Sequence, residues 1–185
     1  MRRAVLSPAR RLAGRVCRML LLLACALSPA AAAAELRDVS ARRLSGTAGT
    51  PLDSLLAPLA GRPVIINFWA SWCEPCRDEM PALQQLGTRW REQRLAVLTV
   101  AVADQRARLD SFLTAHAIEL PVIDDREQQL SRALGVRLLP TTLVLDRHHR
   151  TRLRAEGAID WHSATVSKRL RAVLEPPARL EWPAR

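Results

Sequence analysis

The stretch Asn67-Phe68-Trp69-Ala70-Ser71-Trp72-Cys73-Glu74-Pro75-Cys76-Arg77-Asp78-Glu79-Met80-Pro81 decides how the rest of this chain is read. The apolar, β-prone run Pro63-Val64-Ile65-Ile66 feeds into it, and a helix-periodic run leaves it. Cys73 and Cys76 stand where the strand pattern hands over to the helix pattern. Two cysteines at that spacing and junction point to a dithiol/disulfide redox centre. The same spacing opens many zinc sites, so the remaining residues have to separate the two.

A closed structural zinc site takes four ligands, usually with a second Cys or His pair. The histidines are His116, His148, His149 and His162, and no two have the spacing of a zinc pair. His148-His149 falls between two strand-like runs, where a solvated turn accounts for it. The other cysteines, Cys17 and Cys25, lie in the extreme N-terminal segment. A disulfide across so short a loop gains little from closure entropy, so a purely stabilising bridge explains the pair poorly. Redox chemistry explains it better, and no metal is expected.

With 185 residues, 49% of them apolar and 25% charged, the chain has the composition of one globular domain with extensions. The net charge of +10 invites a nucleic-acid reading. Residues 1–34, however, contain six Arg and no acid, which leaves 22 basic against 18 acidic residues, or +4. That excess is scattered among Asp and Glu, and no nucleic-acid partner is expected.

Residues 1–34 read as an export signal. A basic region through Arg18 precedes Met19-Leu20-Leu21-Leu22-Leu23-Ala24-Cys25-Ala26-Leu27, and the alanine run Ala30–Ala34 offers Ala-x-Ala cleavage choices. The uncharged span Met19–Ala34 has 16 residues, short of the roughly 20 that cross a bilayer as a helix. An uncleaved anchor is the rival reading. Leu22-Leu23-Ala24-Cys25 resembles a lipoprotein box, and the Arg pairs suggest a twin-arginine signal. Cleavage near Ala34 would leave Cys73 and Cys76 as the two cysteines of the mature protein.

Residues 35–59 form a lead-in with a Gly/Thr-rich patch (Ser45–Thr50) and a short helix candidate, Leu52–Leu59, expected to cover an edge of the fold. Val64–Trp69 is a strand buried on both faces. Cys76, Met80, Leu83, Leu86 and Trp90 then recur at helical steps from about Glu74 to Arg94, with Pro75 in the first turn and Pro81 placed to kink the helix. Leu95–Val102 is a second buried strand, Gln105–His116 a helix and Leu120–Ile123 an edge strand. Arg126–Leu134 is a helix stopped by Gly135. Thr141–Asp146 and Thr151–Gly157 form a hairpin, followed by a helix over Asp160–Leu174 and a tail over 176–185. Alternating β and α elements predict an α/β fold with a central mixed sheet flanked by helices.

Trp69-Ala70-Ser71-Trp72-Cys73-Glu74-Pro75-Cys76, with Glu79-Met80-Pro81 and the later Gly135-Val136-Arg137-Leu138-Leu139-Pro140-Thr141-Thr142, resembles the thioredoxin superfamily. More closely it is similar to the TlpA/ResA-like branch of exported bacterial thiol–disulfide oxidoreductases. The similarity runs from about Ala60 to Leu174, so the thioredoxin-like domain is placed at 60–175. Arg106–Gly135 resembles the extra helix–strand insert of that branch.

The resemblance implies roles, and physical chemistry supports them. Cys73 precedes a helix, whose free N–H groups and positive dipole end favour a thiolate. It is the expected exposed nucleophile. Cys76, one turn in on the core-facing stripe, is the expected resolving thiol. Glu79 matches the acid that moves protons to and from Cys76, and Asn67 stands where plain thioredoxins have a buried Asp. A surface carboxylate is the alternative for Glu79. Pro140 matches the cis-proline, which would place Leu139 beside Cys73 and leave backbone groups free for an extended partner. Trp72 is the apolar rim on which partners dock, Trp69 is packing, and Glu74 and Pro75 tune the redox potential.

The resemblance implies a periplasmic or extracytoplasmic bacterial enzyme, possessing no cofactor beyond the Cys73–Cys76 disulfide. Its partners would be protein thiols and disulfides and a membrane thiol–disulfide electron donor, with membrane anchoring by the N-terminus as an option. Family members reduce apocytochrome cysteines or those of copper-site proteins. A disulfide-forming oxidase and a copper(I) metallochaperone holding the metal on both thiolates are the alternatives. A peroxiredoxin fits less well, because Ala70 replaces the Thr three residues before the peroxidatic Cys.

Overall fold

The computed structural model describes residues 33–43 and 51–175. Most of the segment expected to be an export signal (residues 1–32), the Gly/Thr-rich patch and the tail from 176 onward lie outside the described residues. Strands β1 (Arg37–Arg43), β2 (Val64–Trp69), β3 (Ala96–Val102), β4 (Val122–Asp125), β5 (Thr141–Leu145) and β6 (Arg150–Glu156) form one sheet in the order β1-β6-β5-β2-β3-β4. It is mixed: β2, β3 and β4 run parallel, while β5 is antiparallel to β2 and β6 to β5 and β1. The helices are α1 (Pro51–Leu56), extended by a 3-10 turn over Ala57–Leu59, α2 (Glu74–Arg89), α3 (Arg106–Ala115), α4 (Gln129–Ala133) and α5 (Ala164–Leu174).

The sheet separates two apolar clusters, and strand alternation assigns each side chain to one of them. Val64, Ile66 and Phe68 of β2 join Leu98, Val100, Leu143 and Leu145 under Leu52 and Leu56 of α1. Ile65 and Trp69 point the other way, into a cluster with Met80, Leu83 and Leu86 of α2 and Val166, Leu170 and Leu174 of α5. Asn67 lies between Ile65 and Trp69 in the alternation, so it shares their face, beneath α2. Its sheet neighbours are Thr99 on β3 and Thr142 on β5, which gives the middle of the sheet a fully buried polar row.

Several boundaries differ from expectation. The lead-in contributes a strand, β1, paired with β6, and just before it Leu36 is buried and Ala34 N–H donates to Ala158 C=O at 2.6 Å. Helix α2 runs unbroken through Pro81 and ends at Arg89, five residues early, where Trp90 N–H closes on Leu86 C=O. Helix α5 starts at Ala164 because Ser163 caps it, accepting from Val166 N–H at 3.2 Å. The preceding turn, Asp160–His162, is thereby free to send Trp161 inward, where it is 1% exposed. Helix α4 is shortened to Gln129–Ala133, with the Asp125 carboxylate accepting from Leu130 and Ser131 N–H at its start. Gly135 ends that region at φ +64°, a conformation that favours glycine.

Candidate active site

Strand β2 delivers the chain into a tight turn in which Cys73 N–H donates to Ala70 C=O at 3.1 Å. Cys73 then caps α2 in extended conformation, and its carbonyl accepts from Arg77 N–H. Cys73 and Cys76 are joined in a disulfide, with Cα atoms 5.3 Å apart. Burial distinguishes them: Cys76 is 0% exposed and Cys73 7%. The expected order of accessibility holds, but Cys73 is not the freely exposed residue that was anticipated. In the oxidised state its sulfur is tied to Cys76 and it packs within the apolar cluster under α2. Glu74 and Pro75, between the cysteines, are both exposed.

The turn is held from behind. Asp104, in the loop between β3 and α3, is 4% exposed. Its carboxylate accepts from Ser71 N–H, from Ser71 Oγ at 2.8 Å and from Gln105 N–H at 2.8 Å. Trp72 Nε1 adds a bond to Ala103 C=O at 3.3 Å. Nothing in the sequence marked Asp104, because Ser71, the motif residue it holds, lies 33 residues upstream.

Glu79 sits on the buried stripe of α2 with Cys76, Met80, Leu83 and Leu86, and is 5% exposed. Oε1 accepts from Asn67 Nδ2 at 2.8 Å. Oε2 accepts from Ile159 N–H at 3.0 Å and from Trp161 Nε1 at 3.3 Å. Burial pushes its pKa up to about 7, and the three hydrogen bonds to the charged form oppose that rise without cancelling it. The carboxyl can therefore hold or release a proton near neutral pH, one helical turn beyond Cys76. The surface-carboxylate alternative fails on this burial. Ile159 and Trp161 escaped the sequence reading, since 80 and 82 residues separate them from the acid.

The Leu139–Pro140 peptide bond is cis. Leu139 is half-buried and packs against the cluster that contains both cysteines. The neighbouring carbonyls are occupied: Pro140 C=O accepts from Gly157 N–H at 2.7 Å, and Leu138 C=O from Thr141 Oγ1 at 2.6 Å. The hairpin and the Thr141 side chain take those two acceptors, while among the described residues no hydrogen bond engages the backbone of Leu139 itself. Trp72 is 55% and Leu138 53% exposed, the large apolar side chains left open among the described residues. Leu138 was not anticipated; only its place beside Leu139-Pro140 could have flagged it. Trp69 is buried and packs on Phe112 of α3 with ring centroids 5.3 Å apart, so the insert rests directly on the strand that leads to the motif.

Residues 38–154 match the AhpC/TSA family. The chain is 33% identical over 93 residues to the thiol-disulfide oxidoreductase ResA of Geobacillus thermodenitrificans, covering 50% of this chain and 53% of that protein. It thus spans about half the length of that relative. To the thioredoxin-like protein YneN of Bacillus subtilis it is 31% identical over 136 residues, 71% of each chain. The crystal structure of a DsbF homologue from Corynebacterium diphtheriae superposes with a TM-score of 0.60 at 25% identity, covering 78% of this chain and 95% of that one. With a match that runs from β1 into β6 and a dithiol at the β2–α2 junction of a thioredoxin-like sheet, this chain belongs to the AhpC/TSA family.

Proposed function

We propose that the protein is an exported thiol–disulfide oxidoreductase that reduces protein disulfides through Cys73 and Cys76. One observation carries this reading: a cysteine pair of unequal exposure shares a helix face with a buried acid whose pKa is about 7. In the reduced protein, Cys73 thiolate attacks one sulfur of a partner disulfide. A mixed disulfide forms and the partner's other sulfur leaves as thiolate. Glu79 takes the Cys76 proton, and Cys76 attacks the Cys73 sulfur. The partner departs with two thiols, and the Cys73–Cys76 disulfide of this structure is regenerated. Two electrons pass per cycle, so a dithiol donor must restore the reduced pair.

The reductive direction, an extracytoplasmic location and a membrane-held donor follow from the TlpA/ResA-like resemblance and the N-terminal export pattern. Cysteines of apocytochromes or copper-site proteins are the substrates that resemblance suggests. Ala70 brings no hydroxyl toward Cys73, which leaves peroxide chemistry without the group expected to assist it.

Reduction of insulin disulfides with dithiothreitol as donor tests the proposal. Cys73→Ser is expected to abolish activity, and Cys76→Ser to accumulate a mixed disulfide visible on non-reducing gels. Full activity in Cys73→Ser would overturn the assignment.

A further inference from the structure

Beside the disulfide lies an open groove of about 640 Å³ that the exchange steps above do not use. Ser71 and Trp72 from the motif turn and Arg77 from α2 form one side, and Arg108, Ser111 and Phe112 of α3 the other. It is therefore built between the residues flanking the two cysteines and the helix–strand insert. Its apolar part is Phe112, buried against Trp69, and Trp72, more than half exposed. Both serine hydroxyls are engaged, Ser71 with Asp104 and Ser111 with Ala107 C=O at 2.8 Å.

The charges of the groove are of one sign. Arg77 and Arg108 are exposed and, among the described residues, neither guanidinium has an ion pair or a hydrogen-bond partner. Some other surface arginines are matched with carboxylates, Arg106 with Asp110, Arg126 with Asp124 and Arg154 with Glu156, and what sets the groove apart is that two unmatched ones share it with an exposed indole. No acid lines the groove. Asp104, between β3 and α3, is buried and bonded to Ser71 and Gln105. Two unmatched guanidiniums beside an aromatic wall complement a segment that brings carboxylates and an apolar side chain together.

We propose that this groove docks acidic protein segments that carry an aromatic or aliphatic side chain near their cysteines, so that substrate choice is made on Arg77, Arg108 and Trp72. This rests on the oxidoreductase reading, whose substrate class it names. A protein segment fits better than a small thiol because the groove, about 640 Å³, extends from the motif turn at Ser71 and Trp72 to Arg108, Ser111 and Phe112 of α3.

Two cysteine-free labelled peptides test it, alike in their aromatic core and flanked by Asp in one and Lys in the other. Their binding to the full-length oxidised protein is followed by fluorescence anisotropy. The acidic peptide is expected to bind at least about tenfold tighter at low salt, with the advantage shrinking as ionic strength rises. Arg77→Ser with Arg108→Ser should remove the preference, Arg77→Lys with Arg108→Lys should retain most of it, and Trp72→Ala should weaken both peptides. Equal affinities, or a preference that survives the double serine variant, would overturn the proposal. So would displacement of the acidic peptide by glutathione disulfide at lower concentration than by unlabelled peptide, which would mark a small-thiol site. Because this assay needs no thiol chemistry, the redox reading is judged separately, by whether the reduced wild-type protein consumes the uncharged hydroxyethyl disulfide.

Discussion

Nδ2 of Asn67 donates to Oε1 of Glu79 at 2.8 Å, joining the central strand to the helix that follows the motif. The same nitrogen donates to Thr142 Oγ1 at 3.1 Å, while Asn67 Oδ1 is buried with no partner. An amide used fully on its donor side suits a charged carboxylate. A protonated Glu79 would offer a hydrogen that a rotated Asn67 amide could accept.

The elevated Glu79 pKa makes a stability prediction with a defined sign. Its folded value is about 7 against an ordinary 4.5, so the folded chain holds this proton more tightly than the unfolded chain. The associated stability is complete below the ordinary value and is lost as pH rises through the folded one, by an amount on the order of 3 kcal/mol. Glu79→Gln removes the titration. In urea unfolding of the oxidised proteins, the variant should gain on wild type between pH 4.5 and pH 7 and hold a constant lead above that range. A difference that does not vary across this window would contradict the burial of a titrating Glu79.

Trp161→Phe removes one donor from the charged form of Glu79 while keeping an aromatic ring in place. The Glu79 pKa should then move further up. If Glu79 handles the Cys76 proton, the pH profile of thiolate formation, followed by ultraviolet absorbance of the reduced protein, should shift to higher pH in Trp161→Phe. In Glu79→Gln it should lose that inflection. An unaltered profile in both variants would make the acid a structural group.

Asp104→Ala strips the motif turn of its support. It leaves Ser71 N–H buried without an acceptor, a defect that costs about 2 kcal/mol. Asp104→Asn, which keeps an acceptor oxygen, should cost less. Urea midpoints with an unchanged denaturant slope will show this; a cost near zero for the alanine variant would mean that the turn is held by other contacts.

The midpoint potential of the Cys73/Cys76 couple separates the two directions of exchange. A reductase should lie near thioredoxin's value of about −270 mV, and a disulfide-forming oxidase near about −120 mV. Equilibration against glutathione and dithiothreitol redox buffers gives the number.

The elements that position the dithiol were legible because their signals are local. The unbroken apolar run of β2, the helical stripe of α2 and the Leu139-Pro140-Thr141 punctuation each carry their own meaning. What escaped was set by distant partners. Strand β1, Arg-Asp-Val-Ser-Ala-Arg-Arg, has only Val39 and Ala41 as apolar residues, too few to mark it, and its extended form comes from pairing with β6. The hydrogen bonds of Asp104 to Ser71 and of Glu79 to Ile159 and Trp161 join positions 33 to 82 residues apart, a distance at which sequence spacing conveys nothing. The accessibility of Cys73 was overestimated because spacing alone does not show how the disulfide and its surrounding cluster cover the sulfur.

If exchange runs through Cys73 as proposed, the Ser71–Asp104 clasp has a mechanical consequence while a partner is covalently attached. A macromolecule linked to Cys73 pulls on a turn only two residues from Ser71. Through the clasp that load passes to the end of β3, a strand buried along its whole length between β2 and β4. On the proposed mechanism a mixed disulfide would thus be moored to a buried interior strand and not to the motif turn alone.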